Sequence, residues 1–295
     1  MQVYSGSSNP ALAKKLASKL RVRLGKIEVS RFANDEGRVF VTEPKVDSKV
    51  IVVQSLSIPT DTHLVEFCLI CDALRRKGAK QIIAVIPWLG YSKQDKVFRE
   101  GEALSIKVVA KILELNFLDK IYVLNLHSQL IKKSFRRPII ELTARPLIED
   151  YFKNKVTRDH VVVAPDKGSV ASCRQLAKDL GVPLVKITKK RDRKTGIIAV
   201  TGMTGEVKGK RVIIKDDMIA TGSTMIEVSK FLKAKGAKSI EVGAVHHLYV
   251  PGTQSRLNRD GIDQLVVTDT VAAPAGTRGI KVLSVAGILA KAIRA

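Results

Sequence analysis

Cysteine is scarce in this sequence, with three residues among 295. Two of them, Cys68 and Cys71, lie inside an amphipathic stretch with helical periodicity, HLVEFCLICDALRRKG. A redox-active pair of this spacing normally opens a helix directly after a strand. We therefore predict that both are core thiols rather than a redox centre.

Long apolar runs are also missing. No segment reaches the roughly 18 apolar residues that a membrane span requires, and the first residues, MQVYSGSSNPALAKKL, do not have the pattern of a secretory signal. Low-complexity tracts and Pro/Gly/Ser-rich linkers are absent as well. We expect a folded cytoplasmic protein with no membrane partner.

Acidic residues are few relative to basic ones. The chain has 28 Asp and Glu against 51 Lys and Arg, which gives a formal net charge of +23. Such a charge favours an anionic partner, and nucleic acid, a membrane surface and phosphorylated small molecules all meet that description. The basic residues are scattered, as on a Lys-rich solvated surface, so the charge alone does not choose among these partners.

Short β-branched runs alternate with helical patterns along the whole chain, which predicts parallel sheets covered by helices. Asn9 can cap a helix with Pro10 in its first turn, and Gly78 and Gly236 stand where helices should stop. The fold class is therefore α/β. The predicted strands are Gln2–Ser5, Lys49–Gln54, Gln81–Ile86, Lys120–Leu124, His160–Ala164, Leu184–Ile187, Lys210–Ile214, Ser239–Val245 and Gln264–Val267.

An internal repeat predicts the number of domains. KVIVVQSLS, a helix and KGAKQIIAVI recur as KRVIIKDDM, a helix and KGAKSIEVGAV, with the Lys-Gly-Ala-Lys corners at Lys77 and Lys235. The same strand–helix–strand unit thus occurs twice. A chain of this length also fits two domains of about 150 residues each. We predict two related α/β domains, 1–143 and 144–295.

The segment VIIKDDMIATGSTM, Val212 to Met225, carries the clearest chemistry. An apolar strand leads into two carboxylates and then into a turn that opens a helix. Backbone N–H groups at a helix start, together with hydroxyl side chains, form a cradle for a phosphate, and carboxylates beside it suit the hydroxyls of a ribose. This pattern predicts a sugar-phosphate pocket. Its residues are Asp216, Asp217, Ala220, Thr221, Gly222, Ser223 and Thr224.

Five further motifs accompany this loop. They are RFANDEGRVFV (Arg31–Val41), IPWLGYSKQDKVFREGEALSIKVVA (Ile86–Ala110), NLHSQ (Asn125–Gln129), APDKGS (Ala164–Ser169) and KKRDRKTG (Lys189–Gly196). Together with the loop they resemble the ribose-phosphate pyrophosphokinases, which have a phosphoribosyltransferase-type fold, and the resemblance covers nearly the whole chain. It implies transfer of the β,γ-diphosphate of MgATP to O1 of ribose 5-phosphate, which gives phosphoribosyl diphosphate and AMP.

The resemblance also implies an arrangement of domains and subunits. Two phosphoribosyltransferase-like domains are expected, with ATP bound by 1–143 and ribose 5-phosphate by 144–295. Dimers or hexamers would complete the ATP site, because Phe32 resembles the residue that stacks on the adenine of a neighbouring subunit. Without the resemblance, Phe32 reads as a core aromatic. The implied ATP-binding residues are Phe32, Asn34, Glu36, Lys93, Gln94, Asp95 and His127.

His127 and Asp166 each follow a predicted strand, one in each domain. By resemblance they hold the Mg²⁺ that bridges the ATP phosphates, an oxygen-rich site in which His is an unusual ligand. Taken alone, a His in this position reads as a hydrogen-bonded structural residue. Mg²⁺ is the one cofactor that the resemblance implies.

The charged stretch Lys189–Gly196 has no apolar periodicity and predicts a mobile loop. Solvated charge is the ordinary interpretation of such a run. During diphosphate transfer, however, negative charge grows on the diphosphate and on the departing AMP, and a cationic loop that closes over them stabilises it. The resemblance gives this catalytic role to Lys189 and Arg191.

Several positions near the predicted chemistry depart from the family pattern. Asn34 and Asn125 stand where acidic residues are common. Lys93 and Lys96 replace arginines, which keeps the charge but removes bidentate phosphate geometry. Ala220 removes one ribose contact, and Lys215, directly before the acidic pair, is unusual. Both aspartates of that pair are retained, which supports ribose binding. The departures are Asn34, Lys93, Lys96, Asn125, Lys215 and Ala220.

Three alternatives to this function stay open. A phosphoribosyltransferase would need only the second domain, and the ATP-type first domain argues against it. A catalytically weak regulatory paralogue would keep the fold, but the retained His127, Lys189 and Arg191 argue against silence. A nucleic-acid binder would use the net charge. We expect no nucleic-acid partner, and retention on heparin with a steep salt dependence tests this.

Overall fold

The helices and strands alternate along the chain. A computed structural model gives the backbone of residues 1–191 and 198–295 and the side chains of residues 1–189 and 200–295. The strands are β1 (Gln2–Ser5), β2 (Arg23–Leu24), β3 (Ile27–Arg31), β4 (Gly37–Val41), β5 (Lys49–Val53), β6 (Gln81–Ile86), β7 (Lys120–Leu124), β8 (Ile139–Leu142), β9 (His160–Ala164), β10 (Leu184–Arg191), β11 (Ile198–Thr204), β12 (Arg211–Ile219), β13 (Ser239–His247), β14 (Gln264–Thr268) and β15 (Ile280–Leu283). The α-helices are α1 (Pro10–Leu20), α2 (Thr60–Arg76), α3 (Ser105–Glu114), α4 (Arg145–Lys153), α5 (Val170–Leu180), α6 (Ser223–Ala234), α7 (Thr253–Arg259) and α8 (Ala286–Arg294), and Gln129–Ser134 forms a 3-10 helix.

The chain forms two compact units. Unit 1 comprises Met1–Ala144, Asp269–Ala272 and Ser284–Ala295, and unit 2 comprises Arg145–Thr268 and Ala273–Leu283. These units are defined by contacts within each of them. The predicted domains, 1–143 for ATP and 144–295 for ribose 5-phosphate, were defined by the ligand that each one binds. That division stays a prediction.

Unit 1 is built on a six-stranded parallel sheet with the order β2-β1-β5-β6-β7-β8. The central strands are apolar runs that are buried on both faces, as in Val50–Val53 and Ile82–Ile86, because helices cover both sides of the sheet. β3 and β4 pair antiparallel in a separate two-stranded sheet. The C-terminal helix α8 packs against α1.

Unit 2 is built on a seven-stranded sheet with the order β11-β10-β9-β12-β13-β14-β15. Its pairs are parallel except for β10 with β11. The predicted α/β fold with two mainly parallel sheets is therefore confirmed, and each predicted strand is present. The loop predicted from Lys189 differs, because Lys189–Arg191 extend β10 and pair with β11. Residues 192–197 of that predicted loop lie outside the described residues.

The burial of the cysteines agrees with the sequence analysis. Cys71 and Cys173 are buried and Cys68 is half-buried. Burial raises the pKa of both Cys68 and Cys71, which keeps them as unreactive thiols. Across the described parts of the chain, none of the helices combines the length and apolar character needed to cross a bilayer.

Candidate functional site

The predicted sugar-phosphate residues lie in unit 2, where β12 ends and α6 begins. β12 lies between β9 and β13 and runs parallel to both, so the carboxyl ends of all three strands share one edge of the sheet. This edge is where open α/β sheets bind ligands. Asp216 and Asp217 lie in the C-terminal half of β12, which ends at Ile219, and Ser223 is the first residue of α6.

The turn between strand and helix requires glycine at position 222. Gly222 has φ of 73°, in the left-handed region that favours glycine. A Cβ at this position would lie 2.9 Å from Leu257 Cδ2. Within the described residues, no side chain caps α6 and its first turn has no acidic residue. The first N–H groups of α6 are therefore available to an anion.

Helix α7 supports this turn from the other side. Arg256 Nη2 donates to Thr221 O at 2.9 Å, and Thr253 Oγ1 donates to Ala220 O at 3.4 Å. The hydroxyl oxygens of Thr221 and Ser223 lie 3.2 Å apart. The backbone of the turn is thus fixed while its hydroxyls face one another at the start of α6.

One oxygen of each aspartate in the acidic pair is held by the protein. Asp217 N donates to Asp216 Oδ1 at 2.7 Å, and Arg145 Nη2 donates to Asp217 Oδ1 at 3.0 Å. The second oxygen of each carboxylate has no bond from the described residues. A ribose hydroxyl can donate to either of them.

Asp216 lies close to two other carboxylates and to one ammonium group. Burial raises its pKa to about 6, and the carboxylates of Asp166 and Asp217 raise it too, while the Asp217 N–H and the Lys189 ammonium act in the opposite direction. Such effects fall with distance. Unit 2 therefore brings together Asp166 after β9, Lys189 on β10 and the acidic pair on β12.

Asp166 is fixed by the start of α5. Ser169 N donates to Asp166 Oδ1 at 2.9 Å, and Ser169 Oγ donates to Asp166 O at 2.9 Å. These bonds orient the carboxylate at the edge of the sheet. Arg191, the other predicted catalytic residue, has its backbone in β10, but its side chain lies outside the described residues.

Unit 1 collects the predicted nucleotide residues at the carboxyl ends of two neighbouring strands. Lys93, Gln94 and Asp95 follow β6, and His127 follows β7. Ser105 Oγ donates to Gln94 Oε1 at 2.8 Å, which ties the loop to α3 and leaves the amide nitrogen of Gln94 for a ligand. Asp95 Oδ2 is buried and has no hydrogen-bond partner among the described residues. Lys93 and His127 are exposed.

Asn125, a departure from the family pattern, has a structural reason. Its φ is 42°, a conformation that Asn tolerates better than most residues. Its Nδ2 donates to Thr143 Oγ1 at 3.3 Å, and its Oδ1 accepts from Ala144 N at 2.7 Å. A carboxylate could only accept. The amide thus ties the loop that carries His127 to the end of β8.

The predicted adenine residues lie at the tip of the β3–β4 hairpin. The ring of Phe32 is 53% exposed, so it is not a core aromatic. Arg38 Cζ lies 5.7 Å from the Phe32 ring centroid, and Asn34 Oδ1 accepts from Glu36 N at 3.3 Å. Stacking of this ring on the adenine of a neighbouring subunit stays a prediction.

Sequence reasoning missed two residues of the site, Arg145 and Glu149. Both lie on α4 and pair with residues of β12, Arg145 with Asp217 and Glu149 with Lys215. The unusual Lys215 was the one signal in the sequence that pointed to this contact.

The fold, with the predicted sugar-phosphate residues in unit 2 and the predicted nucleotide residues in unit 1, is that of a protein built from two phosphoribosyltransferase-like domains. The N-terminal domain of ribose phosphate pyrophosphokinase matches residues 1–116, and a phosphoribosyl transferase domain matches residues 133–275. The ribose-phosphate pyrophosphokinase of Burkholderia pseudomallei is 37% identical over 99% of this chain and 92% of its own length, and that of Bacillus caldolyticus is 35% identical over 99% and 93%. The crystal structure of phosphoribosylpyrophosphate synthetase from Mycobacterium smegmatis has a TM-score of 0.88 and 34% identity, over 99% of this chain and 97% of that one. The chain therefore belongs to the ribose-phosphate pyrophosphokinase family.

Proposed function

We propose that this protein transfers the β,γ-diphosphate of ATP to O1 of ribose 5-phosphate, giving phosphoribosyl diphosphate and AMP. The observation that carries the proposal is the oriented pair Asp216 and Asp217 beside the uncapped start of α6. A phosphate and a pair of vicinal hydroxyls are the groups that this combination suits, and ribose 5-phosphate carries both.

Ribose 5-phosphate binds through its two ends. The 5-phosphate lies against the N–H groups and hydroxyls of Thr221–Thr224, and the ring hydroxyls donate to the second oxygens of Asp216 and Asp217. The Asp216 carboxyl, whose pKa is about 6, is ionised at neutral pH and accepts these bonds. Ala220 offers only its backbone.

ATP binds to unit 1 in this proposal. Lys93 neutralises phosphate charge as a point charge, the Gln94 amide nitrogen donates to the nucleotide, and Asp95 orients them. Phe32, Asn34 and Glu36 contact the adenine held by a second subunit. Self-association as a dimer or hexamer and a cytoplasmic location are part of the same proposal.

The transfer itself needs no covalent intermediate with the protein. O1 attacks the β-phosphorus in line and AMP leaves, so positioning and electrostatic stabilisation suffice. Lys189 supplies positive charge near the acidic pair, as its influence on Asp216 indicates. Arg191 acts with it as the second cation.

The donor chemistry fits Mg²⁺, which we propose as the cofactor. Within the described residues, no three His, Cys, Asp or Glu side chains form a metal cluster. Mg²⁺ usually takes one or two carboxylates, with waters and substrate phosphates completing its shell. Burial is the main cause of the raised pKa of Asp216, and the nearby carboxylates of Asp166 and Asp217 raise it further; a cation beside them would offset that negative charge. By the family resemblance His127 and Asp166 would hold the ion, which would neutralise phosphate charge when bound.

Phosphorus NMR of the protein with Mg²⁺, ATP and ribose 5-phosphate tests the proposal. AMP and a sugar 1-diphosphate should appear together, and Lys189→Ala/Arg191→Ala should abolish both. The matched control is Lys186→Ala, which removes an exposed cation from the same strand and should keep the activity. If neither product forms while ribose 5-phosphate still raises the melting temperature, a regulatory paralogue is the better account.

A further inference from the structure

Two ion pairs join helix α4 to strand β12 next to the acidic pair. Arg145 Nη2 lies 3.0 Å from Asp217 Oδ1, and Lys215 Nζ pairs with Glu149 Oε1. Arg145 and Glu149 are four residues apart and share one face of the helix. Lys215 and Asp217 are two residues apart and share one face of the strand. We call these four residues the α4 clasp.

The pair formed by Lys215 is the buried half of the α4 clasp. The Lys215 side chain is 5% exposed, against 30% for Glu149. It continues the buried run Val212–Ile214 of β12, where apolar side chains are expected. A buried ammonium requires a charged or hydrogen-bonding partner. The pair therefore fixes α4 against β12, and it fixes the helix face that also carries Arg145.

The pair formed by Arg145 reaches the substrate side. The Asp217 side chain is 44% exposed, and Arg145 Nη2 is the donor that holds its Oδ1. A carboxylate at the surface can otherwise rotate between orientations of similar energy. The guanidinium sets one orientation, in which Oδ2 is left for a ligand.

We propose that Arg145 is a positioning residue for ribose 5-phosphate, which acts by orienting Asp217, and that Lys215 with Glu149 holds α4 where Arg145 can do so. The inference rests on the proposed function, because it assigns the ring hydroxyls of the sugar to Asp217. Arg145 acts through the carboxylate. Its loss should therefore weaken sugar binding without weakening ATP binding.

The test compares Arg145→Met and Arg145→Lys with a matched control, Lys233→Met. Lys233 Nζ pairs with Asp263 Oδ2 at 2.8 Å, and the two side chains are 33% and 48% exposed, close to the 42% and 44% of Arg145 and Asp217. The control thus removes a similar ion pair from the same unit, at the opposite end of α6. KM for each substrate and kcat are measured for all variants.

We expect Arg145→Met to raise KM for ribose 5-phosphate roughly tenfold, while KM for ATP and kcat change less than about twofold. Arg145→Lys keeps the charge and should recover most of the loss, to within about threefold of the original protein. Lys233→Met should leave both KM values unchanged. An equal rise in KM for both substrates, or no rise beyond the control, overturns the proposal.

The supporting pair is tested by a double variant, Lys215→Met/Glu149→Leu. Removing both partners of a buried ion pair leaves no unpaired charge, so this variant should stay folded. We expect it to raise KM for ribose 5-phosphate by about threefold or more, in the same direction as Arg145→Met. An unchanged KM in the folded double variant contradicts the assigned role of Lys215 and Glu149.

A second readout separates this inference from the proposed function. The rise in melting temperature on adding ribose 5-phosphate, without ATP, reports sugar binding even in a protein that performs no transfer. If turnover is absent but the rise is lost in Arg145→Met and kept in Lys233→Met, the proposed activity fails and the role of Arg145 stands. Equal rises in both variants, or none in the original protein, overturn the role.

Discussion

Asp216 illustrates how a binding group reduces the stability of its own protein. Burial is the main reason why the pKa of its carboxyl rises from the ordinary value of 3.8 to about 6 in the folded protein. Between these values the folded protein binds more protons than the unfolded chain, so the free energy of unfolding falls as pH rises from about 4 to about 6. Above pH 6 the whole penalty is present, at most about 3 kcal/mol.

Asp216→Asn should therefore stabilise the protein at neutral pH. The amide keeps the acceptor for Asp217 N but carries no charge, so we expect the free energy of unfolding to rise by about 1 to 3 kcal/mol at pH 7 and by much less at pH 4. Urea unfolding at the two pH values measures this. Asp179→Asn, at an exposed acid of α5, is the control. A gain of equal size at both pH values would contradict the electrostatic explanation.

Gly222 should tolerate no side chain. Gly222→Ala adds a Cβ 2.9 Å from Leu257 Cδ2 at a φ of 73°. We expect the free energy of unfolding to fall by about 2 to 4 kcal/mol and ribose 5-phosphate binding to weaken. Gly252→Ala is the matched control, because its φ is 77° but no atom lies within 4 Å of the added Cβ. The free energy of unfolding of Gly252→Ala should fall by only about 1 to 2 kcal/mol. Equal losses in chemical denaturation would show that backbone conformation alone matters at Gly222.

At the scale of elements, helix α2 fixes the loop between β1 and α1 through one buried acid. Glu66 Oε1 accepts from Ser7 N at 2.6 Å and from Gln54 Nε2 at 2.8 Å, and Glu66 Oε2 accepts from Ser7 Oγ at 2.6 Å. If the carboxylate is removed, these three donors lose their acceptor in a largely buried region. The loop, rather than the helix, should then lose its conformation.

Glu66→Ala should lower the free energy of unfolding by about 2 to 4 kcal/mol, since donors in a buried network are left unsatisfied. Asp72→Ala on the same helix removes an exposed pair with Arg76 and should change stability by less than about 0.5 kcal/mol. Both are measured by urea unfolding with hydrogen exchange at Ser7 and Ser8. An effect no larger than that of Asp72→Ala would mean that the loop does not depend on Glu66.

The sequence identified elements whose cause is local and missed those whose cause is distant. The central strand β6 and the first half of β12 are apolar runs and were predicted. β3 and β4 were missed because they mix apolar with polar residues and most of their residues are exposed. Lys189–Arg191 are charged, yet they form strand because β11 pairs with them. Pairing across a sheet overrides the local preference of the chain.

The site divides in the same way. The acidic pair and the turn after it were predicted because nine consecutive residues, Asp216 to Thr224, carry the pattern. Arg145 and Glu149 lie 72 and 66 residues from their partners. No local period or motif links such positions, so their contribution follows only from the packed structure.

At the scale of the whole molecule, the chain returns to unit 1 after completing most of unit 2. Asn9 Nδ2 donates to Asp269 O at 2.7 Å, and Asp269 Oδ1 accepts from Val285 N at 2.8 Å. Arg294 Nη2 donates to Lys19 O at 2.6 Å. The internal repeat predicted two domains; these bonds, between positions more than 250 residues apart in two of the three cases, hold the returning segments within unit 1.

Leu289→Ala in α8 should therefore destabilise unit 1. Leu289 is fully buried, so the lost contacts and the cavity should lower the free energy of unfolding by about 2 to 5 kcal/mol. In hydrogen exchange, the backbone amides of β1 and α1 should lose protection before those of unit 2 do. Lys291→Ala, at an exposed position of the same helix, serves as the control. Loosening confined to unit 2 would contradict the assignment of α8.

The return of α8 also sets the order in which the two halves mature during translation. Ser284–Ala295 follow the whole of unit 2 in the sequence and therefore leave the ribosome after it, and the helix within them covers α1. The nascent chain thus carries an unfinished first half throughout synthesis of the second. The half that is made first is completed last.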